Sequence, residues 1–224
     1  MTTCSDTADL AGIQFFGKMA ASIAHDIKNV LAVINENAGL LQDICFMADR
    51  GKPTDLARLK KIAGDVKDQV RRADRIVTTM SRFAHSADEL STETDLGELT
   101  VLLGLLAMRF AAMRGIAIQT LAPLAPVVVT TFPFGLLNLL WTCLDCAMTA
   151  AGSSKTVELV AERTTEGGLV RFRRLERLSE TSIADIALGR LSALPHALNA
   201  TIAADDTKTE LIVRLPRAPE FNPI

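Results

Sequence analysis

The sequence predicts a helical hairpin that forms a dimeric four-helix bundle, followed by an α+β domain (an α/β sandwich). The first observation is that residues 12–90 hold two long segments in which apolar residues recur with helical spacing. The second is that short β-rich segments alternate with helical ones over residues 91–224. The third is a composition of 49% apolar and 22% charged residues among 224, which supplies a core and argues against disorder. Residues 1–11 are predicted to form an N-terminal tail.

The first predicted helix covers residues 12–48, which contain no proline. Its apolar residues recur at spacings of three, four and seven and form one stripe along the helix. These residues are Ile13, Phe16, Ile23, Ile27, Val30, Ile34 and Leu41. Gly51 and Pro53 then end the helix, and Thr54 or Asp55 is placed to cap the next one.

The second predicted helix covers residues 55–86 and carries an a/d heptad pattern. The apolar positions are Leu59, Ile62, Val66, Ala73, Ile76, Met80 and Phe83, and Gln69 fills the one polar position. Two long helices with a short connection form an antiparallel hairpin. Because a single hairpin buries its apolar seam poorly, we expect two copies to pair as a homodimer.

Helices and short strands are predicted to alternate after residue 91. Asp95 is placed to cap a helix over residues 96–114, and the nearly all-apolar helix over 134–151 is expected to be buried. Strands are expected over residues 157–163 and 169–174, which form a hairpin around Gly167 and Gly168. The remaining predicted elements are strands over 116–121, 127–131, 200–204 and 210–215 and a helix over 183–194.

Composition and charge exclude several classes of function. The formal charge of −2, the absence of tyrosine and the single tryptophan argue against nucleic-acid binding. No segment reads as a bilayer span or a secretory signal, so we expect no membrane association and a cytoplasmic location. The four cysteines are sparse, which fits a reducing compartment. Cys143 and Cys146 form a CxxC pair that reads either as core residues or, less favoured, as a metal or redox pair.

His25 is the main candidate for a reactive side chain. It lies opposite the apolar stripe of its helix, so we expect its imidazole to face water. Asn29 follows one turn later on the same side, and Asp26 lies about 100° round the helix. A carboxylate beside an imidazole can hold one ring nitrogen protonated and leave the other free to attack. The alternative is an ordinary surface histidine.

The run from His25 to Leu31, His-Asp-Ile-Lys-Asn-Val-Leu, resembles the H-box of two-component sensor histidine kinases. Val30 in place of the common proline is the main departure. Residues 12–90 likewise resemble the dimerisation and phosphotransfer domain of that family. The resemblance implies that His25 is the phosphoryl acceptor, that Asp26 is the polarising base, and that Asn29 orients water or the partner.

The second domain resembles the ATP-binding domain of the same kinases, but the motifs that hold ATP are degenerate. Aligned on Ala147, the asparagine that helps hold magnesium is replaced by Cys146, and an upstream one by Thr142. A thiol is a poor ligand for Mg²⁺. Residues 175–181, where a glycine-rich box should stand, contain no glycine, and only Gly189 lies near the second box. We therefore expect this chain to bind no ATP, no other cofactor and no metal.

The function these features predict is histidine phosphotransfer in a two-component phosphorelay. His25 would relay phosphoryl groups between response regulator receiver domains, with Mg²⁺ supplied in the receiver's own site. Three alternatives stay open: a response regulator phosphatase in which Asp26 and Asn29 orient water, a non-catalytic pseudokinase scaffold, and a residual kinase. A cluster of arginines is either a solvated strand face or a contact for an acidic receiver. It comprises Arg171, Arg173, Arg174 and Arg177.

Overall fold

The computed structural model describes residues 4–176, 178, 193–205, 207 and 209–217, with side chains from residue 10 onward. The chain divides into two compact units. One comprises Lys18–Ser81, and the other comprises Met1–Gly17 together with Arg82–Ile224. The chain is thus helical towards its N-terminus and continues as an α/β unit.

Two long helices open the chain, α1 over Cys4–Asp49 and α2 over Leu56–His85. The first begins at Cys4 rather than at residue 12, so residues 4–11 continue the helix and the prediction of a tail there is wrong. No proline or glycine interrupts residues 4–11, which explains the longer helix. Asp55, not Thr54, caps α2, because its Oδ1 accepts hydrogen bonds from the backbone N–H groups of the first turn at 2.9 and 3.1 Å.

The predicted seam of α2 is confirmed, because none of its seven apolar residues is exposed. Ile62 and Phe83 are buried and the other five are half-buried.

The predicted stripe of α1 is confirmed from Ile23 to Leu41 and wrong at its N-terminal end. Ile13 is 71% exposed and Phe16 is 38% exposed. The neighbouring Phe15 is buried instead, because its ring packs against the rings of Phe83 and Phe134 at centroid distances of 5.5 and 5.6 Å.

Among the residues that the structure describes, the α/β unit contains seven strands in two sheets. The main sheet has the order β2-β4-β5-β7-β6, with β2 and β4 parallel and the other neighbours antiparallel. A smaller antiparallel pair joins β1 and β3. The elements are β1 (Thr92–Asp95), α3 (Leu96–Met113), β2 (Ala117–Leu121), β3 (Val128–Thr131), α4 (Pro133–Ala150), a 3-10 turn (Gly152–Ser154), β4 (Thr156–Arg163), β5 (Gly167–Arg173), α5 (Ala193–Ala197), β6 (Thr201–Ala204) and β7 (Leu211–Pro216).

Most elements of this unit agree with the sequence prediction. The hairpin of β4 and β5 is present, and Asp95 caps α3 by accepting a hydrogen bond from Gly97 N–H at 2.8 Å. Strand β1 was not predicted, because four polar residues, Thr-Glu-Thr-Asp, carry no apolar alternation. The helix predicted over residues 183–194 and the position of Gly189 lie outside the described residues, except for the last two residues of that span, which open α5.

The core of the α/β unit lies between the main sheet and helices α3 and α4. Along β4, Val157, Leu159 and Ala161 are buried while the alternate residues are partly exposed, so only one face of this strand is covered. Helix α4 is buried on nearly all sides, as its apolar composition predicted. The arrangement is the expected layer of helices on one face of a mostly antiparallel sheet.

Two described helices are long and apolar enough, by length and composition alone, to cross a bilayer. They are residues 10–49 of α1 and Leu96–Met113, which is α3. Neither helix holds an unbroken apolar run of about 18–20 residues, which is the length needed to cross a bilayer, so the absence of membrane association stays a prediction. Half of α3 is buried inside the α/β unit, and buried core helices of soluble proteins can be equally long and apolar. The criterion is thus weak evidence for a membrane span.

Candidate functional site

His25 lies on α1 within the unit Lys18–Ser81, and its side chain is 49% exposed. Val30, at the position where the resembled motif has proline, is buried, and α1 continues through it as a helix. Asn29 is exposed and Asp26 is half-buried. The three residues that the sequence singled out therefore lie together on the accessible part of one helix.

The two polar neighbours of His25 meet the same ring nitrogen. Nδ2 of Asn29 lies 3.1 Å from Nδ1 of His25, and Oδ1 of Asp26 lies 3.9 Å from that atom. The first distance is that of a hydrogen bond, and the second is that of a loose ion pair. The opposite nitrogen, Nε2, makes no hydrogen bond to any residue that the structure describes. An incoming group therefore meets Nε2 without displacing either neighbour.

The proton on the imidazole decides which neighbour Nδ1 engages. When the amide of Asn29 donates to Nδ1, the proton of the neutral ring resides on Nε2, which is then not nucleophilic. When Nδ1 carries the proton, it donates towards the carboxylate of Asp26, and Nε2 keeps its lone pair. Asn29 and Asp26 thus compete for Nδ1, and only the second arrangement prepares Nε2 for attack.

Three described arginines of the predicted cluster are already neutralised within the fold. Arg171 contacts Glu162 and Glu210 at 3.0 and 3.1 Å. Its hydrogen bond to Glu162 raises the pKa of the guanidinium. Arg173 pairs with Glu210, and Arg174 with Glu158. Arg177 lies outside the described residues. These ion pairs on the strands favour a solvated strand face over a binding site for an acidic partner.

Helix α4 carries a hydroxyl at Thr142 and a thiol at Cys146, the two positions where asparagine was expected from the resemblance. The hydroxyl of Thr142 donates to the carbonyl oxygen of Asn138 at 3.2 Å, and Cys146 is half-buried. Cys143 is fully buried, and that burial raises the pKa of its thiol, which stays neutral. Across residues 4–176 and the described parts of the C-terminal region, no cluster of three or more His, Cys, Asp or Glu side chains is arranged for a metal.

An apolar cavity in the α/β unit was not anticipated from the sequence. Phe132 and Phe134 contribute to its wall, together with the buried amide of Asn138. The available signal was the run Phe132-Pro133-Phe134 at the start of a buried helix, which places two large rings at the helix N-terminus.

Comparison with known proteins gives structural likeness only. No known protein-family model matches the chain, and no curated protein matches it. Among solved structures, the chain is similar to the catalytic domain of histidine kinase ThkA, with 15% identity and a TM-score of 0.49 over 59% of this chain and 100% of that one. It is also similar to ThkA in complex with the response regulator TrrA, with 17% identity and a TM-score of 0.48 over 94% and 64% of the two chains. A bacterial phosphotransferase shares 14% identity and a TM-score of 0.47 over 90% and 95%. Likeness at this level establishes neither family nor function.

Proposed function

We propose that this chain is a dimeric histidine phosphotransferase of the two-component type that relays phosphoryl groups between receiver domains through His25. The observation that carries the proposal is the exposed imidazole whose Nδ1 is flanked by Asp26 and Asn29 and whose Nε2 is free of described partners. A rigid helix holds this ring, which suits a group that must meet an incoming phosphoryl in line.

The transfer proceeds by attack of neutral His25 on the aspartyl phosphate of a receiver. The lone pair of Nε2 forms the N–P bond, while the bond between phosphorus and the aspartyl oxygen breaks and its electron pair leaves with the carboxylate. The ring then carries positive charge with a proton on Nδ1, and the carboxylate of Asp26 stabilises that charge. Attack by the carboxylate of a second receiver on the same phosphorus reverses the sequence and restores the neutral ring.

The second unit is proposed to bind no ATP. A hydroxyl engaged with its own helix at Thr142 and a thiol at Cys146 replace the oxygen ligands that a nucleotide-bound magnesium ion requires. Phosphoryl groups therefore come from a phosphorylated partner, and the Mg²⁺ that this chemistry uses is held by the receiver. We expect the degenerate domain to support the dimer or the docking of the partner, in a cytoplasmic setting.

Exposed apolar residues on α2 support the proposed homodimer. Leu56, Ala63, Val70 and Val77 recur every seven residues beside the buried seam. Leu56, Val70 and Val77 are 67%, 54% and 55% exposed. An apolar position next to the a and d positions is what widens a helix face for a bundle of four helices. A second copy of the hairpin is the occupant that covers this stripe, here called the e-position stripe.

A phosphatase role is the second candidate, and the contact of Asn29 with His25 favours it. If the amide holds Nδ1, Nε2 carries the proton and His25 is a poor acceptor, while Asp26 and Asn29 remain beside it to orient a water. In that case the phosphate of a bound receiver is lost without a labelled intermediate on this chain.

The test is transfer of label from a receiver domain phosphorylated with acetyl [³²P]phosphate, in the presence of Mg²⁺. Label is expected to appear on this chain and to vanish in His25→Ala. His85→Ala is the matched control, because His85 is also an exposed histidine near a carboxylate, with its Nδ1 2.7 Å from Asp88. Receiver phosphate that is lost without ever labelling this chain indicates the phosphatase. Receiver phosphate that is stable in the presence of this chain leaves only a scaffold role and overturns both enzymatic proposals.

A further inference from the structure

The α/β unit has an apolar cavity, open to solvent on one side, that phosphotransfer through His25 does not use. Its volume is about 520 Å³, within the roughly 300–1,000 Å³ of small-molecule sites. The rings of Phe16, Phe132 and Phe134 line it, and Gly12 and Gly135 also form part of its wall. Not one of the described lining residues is ionisable.

Among the described lining residues, Asn138 is the one with a side-chain amide. The residue is only 4% exposed, and no described residue hydrogen-bonds its side-chain amide. The amide is not among the buried side-chain atoms that lack a partner, so water in the cavity reaches it. A ligand that displaces this water would have to replace its hydrogen bond to Asn138, which makes the amide the point of polar recognition in the cavity.

We propose that the cavity binds a neutral, largely aromatic small molecule that carries one hydrogen-bonding group for Asn138. The aromatic walls match the faces of a ring system, and the volume accommodates two or three rings. A nucleotide or other phosphorylated compound does not fit, because no cationic side chain among the described lining residues would compensate its charge. The proposal stands independently of the phosphotransfer function.

Binding is tested with the full chain and the neutral fluorescent probe N-phenyl-1-naphthylamine. We expect saturable binding of one probe per chain. Gly12→Leu, which fills the cavity, should weaken it by about tenfold or more, because Gly12 lies in the wall and a Cβ there already meets the Phe134 ring at 3.5 Å. Gly17→Leu is the matched control: it is the same substitution on the same helix at a glycine with nothing within 4 Å.

The hydrogen bond to Asn138 is tested by comparing two probes. Asn138→Leu preserves side-chain size and should lower the affinity for N-phenyl-1-naphthylamine by about fivefold, which is equivalent to one net hydrogen bond. Binding of 1-phenylnaphthalene, which lacks the N–H group, should change by less than about twofold. Equal weakening of both probes would show that Asn138 does not recognise the polar group.

A second measurement on the unmodified chain guards against misfolding of the variants. In ¹H–¹⁵N spectra, the probe should shift the backbone amides of Gly12 and Gly135 and the side-chain NH₂ of Asn138. Shifts confined to residues outside the cavity, equal loss of affinity in both glycine variants, or absence of saturable binding would each overturn the proposal.

Discussion

Asn29 and Asp26 approach the same atom of His25, its Nδ1, at 3.1 and 3.9 Å. Because one ring nitrogen cannot accept from the amide and donate to the carboxylate at once, the two neighbours hold opposite tautomers. The competition between them sets how much of the ring has a free lone pair on Nε2. This relationship gives the first two predictions.

Replacing Asn29 should shift the imidazole of His25 towards the tautomer with its proton on Nδ1. In Asn29→Ala the amide that donates to Nδ1 is lost, and Asp26 becomes its only described neighbour. One hydrogen bond of about 1 kcal/mol corresponds to a change of about fivefold in the tautomer ratio. Long-range ¹H–¹⁵N NMR of the ring measures that ratio. The ring of His85 serves as the internal control, and an unchanged ratio at His25 would contradict the assignment of Asn29 as donor.

Replacing Asp26 should slow phosphoryl transfer to His25. Asp26→Asn removes the negative charge that stabilises the proton on Nδ1 as the ring becomes cationic. Polarising groups of this kind contribute about 10²–10⁴-fold to a rate. The rate is followed as label leaving the receiver in single-turnover experiments. Asp43→Asn, at an exposed position of the same helix with no described ion pair, should leave the rate unchanged. Equal rates of label transfer in Asp26→Asn and Asp43→Asn would show that the Asp26 carboxylate does not assist the transfer.

Charges placed on the e-position stripe should convert the proposed dimer into monomers. Val70 and Val77 are more than half exposed on a single chain. A second copy would bury them, and burying a carboxylate without a partner is unfavourable. For the double variant Val70→Asp with Val77→Asp, sedimentation equilibrium should give the mass of one 24.1 kDa chain, against twice that mass for the unmodified protein.

Thr78→Asp is the control for the dimer, because Thr78 is exposed and lies next to the stripe rather than on it. This variant should keep the mass of the dimer. A single-chain mass for the unmodified protein would show that the exposed valines do not mark an interface between copies.

The periodicity of the sequence predicted the long helices well because burial follows it directly. All seven apolar seam residues of α2 are buried or half-buried, and the helix cap forms at Asp55, two residues after Pro53. The prediction failed at Phe16, where Phe15 turns inward. Ring contacts with Phe134, far away in sequence, decide which of two adjacent phenylalanines is buried, and no local pattern contains that information.

The candidate site was predictable in its members but not in its geometry. The spacing of His25, Asp26 and Asn29 places them on one side of a helix. Which ring nitrogen meets which neighbour depends on side-chain rotamers, and these are set by packing. Likewise, Asn138 reads in the sequence as one polar residue in an apolar helix. Only the arrangement of Phe132 and Phe134 around it reveals a cavity.

The turn between β6 and β7 should lose stability in acid because of one carboxylate. Asp205 accepts hydrogen bonds from Thr207, Thr209 and Glu210. Partial desolvation raises the pKa of Asp205, but the hydroxyl of Thr207 and the three backbone N–H groups outweigh it and lower the pKa from 3.8 to about 2. Because the pKa of Asp205 is lower in the folded chain, the ionised carboxylate stabilises the fold fully above pH 3.8. This stabilisation disappears as the pH falls towards 2.

Asp205→Ala should therefore reduce the free energy of unfolding near neutral pH, and its difference from the unmodified chain should shrink in acid. Urea unfolding between about pH 5 and about pH 2 measures this difference. Asp43→Ala is the control, because Asp43 is exposed and has no hydrogen bond to a described residue. Because the pKa of Asp205 is lower in the folded chain than in the unfolded one, the difference in free energy of unfolding should not grow as the pH falls. A growing difference would contradict the prediction. It would show that the hydrogen bonds around Asp205 do not stabilise its ionised form.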